Sequence, residues 1–373
     1  LDHKEGLNIM VSIYPYGHDF GNSNTAGVTY IDGRPNELLM PSAIAEGTLE
    51  DLTQNATLHS LYGTTLTPKS HVLKIGTRSY YVGELAISQN SKVPINRLTA
   101  RGDISRYWSE RNLVMLLATS GSIIKDREYA LAVVDNLPIA TMENAENARK
   151  VKAALDGDHV FILDGVERVA HITVKKTVME GAGANLYCGA TGKEKAGIID
   201  IGGRTTDAYM VTGQTADKDQ CDSEDTGVES AIDEIKKTFI SRFNWSLSHA
   251  DAQEMMAAYI GDKRYDRITS IHNAGAAPDE VDRMISDQLR ATGKKIVAFV
   301  RQTWHSSLVA DVVAGDVGRI ILVGGGAYFF EQDLRAVFKN RLVRPDYPEY
   351  ANAAGFAKLA QHYLNRELKA RVS

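Results

Sequence analysis

The sequence predicts two α/β domains in succession, and three observations carry that expectation. The chain has 373 residues, too long for one compact core at about 150 residues per domain. Strand-like apolar runs alternate with helix-period segments in two successive blocks, the pattern of mixed α/β domains. A strand–aspartate–glycine turn–strand unit occurs at Asp19 and again at Asp200.

The first block opens with short strands at Val11–Tyr14, Gly27–Ile31 and Leu38–Met40, with Asp32, Gly33, Arg34 and Pro35 forming a turn between the last two. Val72–Ile75 and Tyr80–Val82 read as a hairpin through Gly76. Leu113, Leu116 and Leu117 recur at helical spacing, which predicts a helix over Tyr107–Thr119. Ala130–Val134 is a buried strand closed by Asn136-Leu-Pro138, Glu143–Leu155 is helical, and Val160–Leu163 pairs with Ala170–Val174 around Asp164-Gly165.

The second block follows the polar stretch Thr191–Lys195. Ala196–Ile201 and Asp207–Val211 form a hairpin around Gly202–Thr206, and an acidic loop covers Asp217–Thr226. Helices are expected at Val228–Phe243, His249–Tyr259 and Asp279–Ala310, then a buried strand at Arg319–Val323, then helices at Glu331–Lys339 and Ala351–Lys369. The expected domains are residues 1–190 and 191–350, with 351–373 a C-terminal helix.

Composition narrows the function. Apolar residues make up 43% and charged residues 24% of the chain, an ordinary globular balance. Acids outnumber bases 47 to 42, giving net −5, so direct nucleic-acid binding is not expected. Two cysteines, Cys188 and Cys221, exclude a disulfide framework and a four-thiolate zinc site and fit a cytoplasmic protein. No run of about 18 apolar residues crosses a membrane, and Leu1–Gly6 lacks the apolar core of a signal peptide. Met10 is a candidate natural start, with residues 1–9 an extension.

The chemistry concentrates in three glycine-rich turns. In Ile198–Asp207 a buried strand delivers Asp200 to its end, and Gly202 and Gly203 let backbone N–H groups turn toward one point, an anion nest to which Thr205 and Thr206 add hydroxyls. That suits a phosphate beside a hydrated divalent cation whose waters Asp200 anchors; a plain hairpin turn is the bland reading. Asp19, Gly21, Asn22, Ser23 and Asn24 repeat the logic, although Asn and Ser are common in purely structural turns. Two such hairpins a domain apart could grip one polyphosphate from opposite sides. The strand Ile320–Val323 runs into Gly324-Gly325-Gly326-Ala327, allowing close backbone approach to a flat ligand or phosphate.

These elements, in this order, resemble the phosphate 1, phosphate 2 and adenosine motifs of the actin-like ATPase superfamily. Tyr81–Ala86, Asn136–Ile139, Val178–Ala184 and Pro345–Phe356 are similar to its ParM/StbA branch of bacterial and archaeal actin-like proteins. The resemblance runs from about Ile13 to Tyr363. It implies an actin-like fold, two related α/β domains with ribonuclease H-like cores flanking a nucleotide cleft, the C-terminal helix returning to the first domain. It implies ATP or ADP with magnesium, the metal held through water by Asp19 and Asp200. Nucleotide contacts fall on Asp19, Gly21–Asn24, Gly202–Thr206 (with Arg204), Gly227, Glu229 and Gly324–Ala327. Glu180 is implied as the catalytic carboxylate that orients the attacking water, beside Asp200; its bland reading is a helix N-terminal acid favoured by the dipole. Family members often carry a lysine just after the first hairpin, where this chain has Asn24-Thr25-Ala26, which leaves Arg204 or magnesium to supply positive charge.

The implied role is a polymerising ATPase that self-assembles into filaments for plasmid segregation or a related cytoskeletal task, with a DNA-binding adaptor as partner. The alternatives are a non-polymerising nucleotide switch and a small-molecule kinase of the same superfamily. Asp279–Ala310 and Thr48–Pro68 are the expected filament contacts. A rival P-loop reading at Tyr187–Glu194 fails because Tyr187 replaces its first glycine and Glu194 its Ser/Thr.

Overall fold

The computed structural model describes residues 11–54, 67–89, 96–97, 104–142, 144–189, 194–213, 215–262, 264–304 and 317–372. Met10, residues 55–66 of the expected contact loop, 305–310 of the long helix and Gly192-Lys193 lie outside them. The chain divides into two compact units, Leu1–Gly183 with Asn352–Ser373, and Ala184–Ala351.

The first unit is built on a ten-stranded sheet. Its strands are β1 (Ile13–Phe20), β2 (Asn24–Ile31), β3 (Arg34–Pro41), β4 (Ala43–Glu46), β5 (Ser70–Ile75), β6 (Arg78–Gly83), β7 (Asn96–Arg97), β8 (Glu128–Leu137), β9 (Gly157–Leu163) and β10 (Val166–Met179). Their order is β3-β2-β1-β8-β10-β9-β5-β6-β4-β7. The β2–β3 and β9–β10 turns each place an Asp-Gly pair at positive φ, Asp32 and Gly33 at 52° and 74° and Asp164 and Gly165 at 52° and 83°. That backbone matches the right-handed twist of hairpin strands. β8 runs parallel to both β1 and β10.

Helices α1 (Leu49–Gln54), α2 (Glu84–Ser88), α3 (Glu110–Ile123), α4 (Ile139–Met142) and α5 (Ala145–Leu155) connect these strands, and α6 (Ala182–Tyr187) follows β10 where the first unit passes into the second. The expected helix from Tyr107 starts instead at Glu110, after Ser109 in extended backbone, and Tyr107 lies in a 3-10 turn over Ile104–Trp108. This difference frees the Tyr107 hydroxyl for the site described below. α5 begins where Asn144 accepts a hydrogen bond from the Glu146 N–H, 3.0 Å.

The core of this unit gathers Tyr16, Phe20, Leu73, Leu116, Leu117, Val133 and Phe161, all fully or nearly fully buried. The last helix, α12 (Ala351–Val372), returns to this unit and packs Phe356 and Ala360 on Val134. A side chain on Gly183 would collide with the Asn352 backbone, and one on Gly355 with the Gly183 carbonyl. Gly183 and Gly355 are therefore there for close backbone packing.

The second unit carries a six-stranded sheet from β11 (Lys195–Ile201), β12 (Thr206–Thr212), β13 (Thr215–Ala216), β14 (Asp222–Glu224), β15 (Arg319–Val323) and β16 (Leu342–Val343). Its helices are α7 (Val228–Phe243), α8 (His249–Ile260), α9 (Thr269–Ala274), α10 (Pro278–Thr303) and α11 (Ala327–Phe338). α10 buries Val281, Met284, Ile285, Leu289, Ile296 and Val300 at helical spacing against a core that includes Phe239, Trp304 and Phe330. α11 starts immediately after the glycine run, earlier than Glu331, because Ala327, Phe330 and Leu334 already form its buried stripe.

The duplicated sequence unit has a topological meaning. β1 pairs antiparallel with β2 and parallel with β8; β11 pairs antiparallel with β12 and parallel with β15. In each unit one hairpin and one parallel neighbour bring an aspartate to the same end of the sheet.

Candidate functional site

In the first unit β1 carries Asp19 to its end and the chain turns through Gly21, Asn22 and Ser23 into β2 at Asn24. The Gly21 N–H bonds the Asp19 carbonyl, 3.2 Å. The turn is stapled from outside by Ser42, a residue the sequence did not mark. Its N–H donates to the Ser23 carbonyl at 2.9 Å and its hydroxyl to the Gly21 carbonyl at 2.8 Å, and that hydroxyl lies 2.7 Å from the Thr25 hydroxyl.

Glu180 directly follows β10, and its N–H bonds the Leu137 carbonyl at 2.9 Å. Asn136, near the end of β8, joins it to the hairpin. The Asn136 amide nitrogen donates to Asp19 Oδ1 at 3.0 Å and to Glu180 Oε1 at 3.3 Å, and its oxygen accepts the Phe20 N–H at 3.2 Å. Glu180 Oε1 also accepts the Tyr107 hydroxyl at 3.0 Å. The Arg106 guanidinium lies 4.5 Å from the Tyr107 ring centroid and donates to its hydroxyl. Burial, then the Glu180 charge, pushes the Tyr107 phenol well above its ordinary range, so it remains a protonated donor. Two sequence-predicted residues, Asp19 and Glu180, thus share one amide. In the sequence Asn136 reads only as a strand terminator and family feature, because its partners lie 117 and 44 residues away.

Behind this row lies a second buried one. Asp135 accepts the Asn136 N–H at 2.8 Å and the Asn112 amide at 3.2 Å, and Asn112 Oδ1 is 2.8 Å from His18 Nε2. Burial raises the Asp135 carboxyl to about 7, against the two donors it accepts, and lowers His18 to about 4.

In the second unit Asp200 sits opposite Asp207 in the β11–β12 register, beside Val323 of β15. Gly202 spends its N–H on the Thr205 carbonyl at 2.9 Å. This corrects the expectation that both glycine amides face a phosphate: the first closes the turn. Thr206 is corrected likewise, since its fully buried hydroxyl donates to the Thr226 carbonyl at 2.6 Å and latches the acidic loop. Thr205 bonds Asp207, 3.2 Å, and Arg204 is exposed.

The N-terminus of α7 docks on this turn. The Val228 and Glu229 N–H groups donate to the Gly202 and Gly203 carbonyls at 3.2 and 2.7 Å, and a side chain on Gly227 would strike both carbonyls. The Glu229 carboxylate lies 3.3 Å from His249 Nε2. Gly324 has φ of 81°, and an added Cβ would collide with Asp200 Oδ1 and the Ile201 carbonyl. The Gly326 N–H bonds the Ile201 carbonyl at 2.8 Å, Ala327 is buried at the head of α11, and Gly325 has open space around it. Asp200, Gly202, Gly203, Gly227 and Gly324–Ala327, scattered over 128 residues of sequence from 200 to 327, therefore form one cluster.

Among the described residues no group of three or more His, Cys, Asp or Glu side chains is placed to hold a metal directly. Asp19 in the first unit and Asp200 in the second are each single hard carboxylates, the donor type that holds magnesium through its waters. No helix among the described residues is long and apolar enough to cross a membrane.

Residues 17–183 match a family model described as the actin-like proteins N-terminal domain, and residues 198–336 one described as archaeal actin homologue MreB-like, C-terminal. Among solved structures, the archaeal actin homologue Ta0583 is 20% identical with a TM-score of 0.67, over 95% of this chain and 100% of its own. Bacillus thuringiensis ParM with ATP is 18% identical with a TM-score of 0.69, over 95% and 99%. Apo pSK41 ParM is 14% identical with a TM-score of 0.65, over 95% and 99%. Ta0583 has also been solved in complex with ADP, and the Bacillus thuringiensis protein with AMPPNP. No curated protein matches the chain. The architecture is the two-domain α/β actin-like fold.

Proposed function

The chain belongs to the actin-like proteins, and on that premise we propose that it is a magnesium-dependent ATPase whose copies polymerise into filaments. The observation that carries the reading is the shared Asn136 amide, which holds the Glu180 carboxylate next to the aspartate of a glycine-turn hairpin. Each unit contributes phosphate contacts: Gly21–Asn24 in the first, Gly203–Thr205 in the second, with Gly324–Ala327 and the start of α7 on the nucleoside side. Glu180 accepts a hydrogen bond from water and orients it for in-line attack on the γ-phosphorus. The new P–O bond forms as the bond to the β–γ bridging oxygen breaks, leaving ADP and phosphate. Asp19 and Asp200 would hold magnesium through its waters, and the metal would supply neutralisation of the phosphate charge.

Subunits joining head to tail make a heterologous contact that does not close and so extends as a filament. ATP drives assembly by binding the assembled conformation more tightly than the free one. The resemblance to ParM extends the proposal to a cytoplasmic role in DNA segregation through a DNA-binding adaptor.

The test is light scattering and negative-stain microscopy across a protein titration with ATP, ADP and no nucleotide, alongside phosphate release. Filaments above a threshold concentration with ATP are expected. Glu180→Ala should bind ATP, hydrolyse it about 10²-fold more slowly and form longer-lived filaments. Monomers under every nucleotide condition would replace the filament reading with that of a switch, and turnover only with an added acceptor would make the protein a kinase.

A further inference from the structure

The row Arg106–Tyr107–Glu180–Asn136–Asp19 has a feature that a chance surface cluster lacks: the three groups that hold its two half-buried carboxylates are themselves buried. Asn136 is fully buried, Tyr107 is 1% exposed and Arg106 7%. Burying a guanidinium, a phenol and an amide is costly unless they are hydrogen-bonded; the Tyr107 hydroxyl and the Asn136 amide are, and Arg106 bonds through its terminal nitrogen while its buried Nε has no partner. Asn136 is occupied through both ends of its amide, accepting from the Phe20 backbone and donating to two carboxylates.

We propose that Asn136 and Tyr107 are positioning residues that fix the rotation of the Glu180 carboxylate and tie it to the Asp19 hairpin. Both donors converge on one oxygen, Oε1. Two donors from different elements, the end of β8 and the 3-10 turn before α3, define the plane of a carboxylate that either alone would leave free to rotate. Arg106, stacked on the Tyr107 ring and donating to its hydroxyl, holds that hydroxyl pointing at Glu180 and strengthens it as a donor. The chemistry of Asn is required at 136: an aspartate would set a third carboxylate beside Asp19 and Glu180, and an apolar residue would remove both the acceptor of the Phe20 N–H and the donor that the two carboxylates share. Because Asn136 bonds the hairpin and Glu180 at once, movement of the turn that receives phosphate is transmitted to the water-orienting carboxylate through a single side chain.

This inference rests on the ATPase reading, and the experiment separates the two. Tyr107→Phe keeps the ring packed against Phe20 and Arg106 and removes only the hydroxyl; Asn136→Ser is the second variant, and circular dichroism melts check the fold of both. In Tyr107→Phe, ATP affinity by equilibrium titration should stay within about twofold while single-turnover phosphate release falls about tenfold, the cost of one charge-assisted hydrogen bond. In the Glu180→Ala background the same substitution should change the residual rate by less than about twofold, since its effect runs through Glu180. Parental release rates in folded Tyr107→Phe and Asn136→Ser, beside a slowed Glu180→Ala, would overturn the positioning role alone. An undiminished Tyr107→Phe effect in the Glu180→Ala background would overturn it as well, by showing a general structural loss. No ATP hydrolysis by the parental protein would overturn the ATPase reading and the positioning role with it.

Discussion

The two hairpins occupy the same place in their sheets and are finished in opposite ways. At the end of β1 the parallel neighbour β8 presents the Asn136 side chain, and Asp19 is held by its amide. At the end of β11 the parallel neighbour β15 runs into Gly324, whose missing side chain lets bare backbone close over Asp200. The parallel neighbour meets Asp19 with a side-chain amide and Asp200 with bare glycine backbone. A duplicated topology therefore does not fix the chemistry at its equivalent positions. The first end should be sensitive to the loss of polar atoms and the second to the gain of a carbon at Gly324.

The largest expected effect is at the backbone-built end. Gly324→Ala meets a left-handed φ and a collision with Asp200 and Ile201 together, and should cost about 3 kcal/mol or more of stability. Gly325→Ala, with open space around it, should change stability by less than about 0.5 kcal/mol. Equal melting temperatures for the two variants would break the comparison.

The next effect lies in the polar row behind the first end and depends on pH. Asp135 is raised to about 7 in the fold from 3.8, so the folded state binds more protons than the unfolded one across that interval. Its contribution is complete below the unfolded value and is lost as pH rises through about 7. His18, lowered to about 4 from 6.5, acts oppositely, its contribution being present above 6.5 and lost as pH falls through about 4. Asp135→Asn should thus gain in melting temperature relative to the parent as pH goes from 5 to 8, by an amount worth a few kcal/mol at most. A pH-independent gap between the two would remove Asp135 from the account.

The smallest effect is at Ser42. Ser42→Ala deletes the hydroxyl that staples the first turn and should cost about 1 kcal/mol, read by denaturant titration. A cost as large as that of Gly324→Ala would mean that the two ends are equally intolerant.

Much of the fold is local and was legible. The β15 strand and the α7 helix fall on their expected residues because an apolar run and a 3.6-residue stripe, bounded by glycines, need no distant partner. Each hairpin likewise announced itself through an aspartate, a glycine turn and flanking β-branched residues. β4 and β7 were not legible: strands of four and two residues exist only through their pairing with each other and with β6. Nor was the merging of the β5–β6 hairpin into the main sheet, which rests on pairing of β5 with β9 across roughly ninety residues.

The sequence by itself determined where the aspartates, the glycine turns and Glu180 lie along the chain, because residue type and near-neighbour spacing decide what a turn can do. Tertiary structure alone decided that Asn136 bonds both Asp19 and Glu180, that Tyr107 falls outside its helix to reach Glu180, that Thr206 faces inward, and that Gly202 is spent on its own turn. The reason is geometric. A hydrogen bond depends on direction and on distance to within a few tenths of an ångström, and for partners far apart in sequence only the packed sheet sets either one.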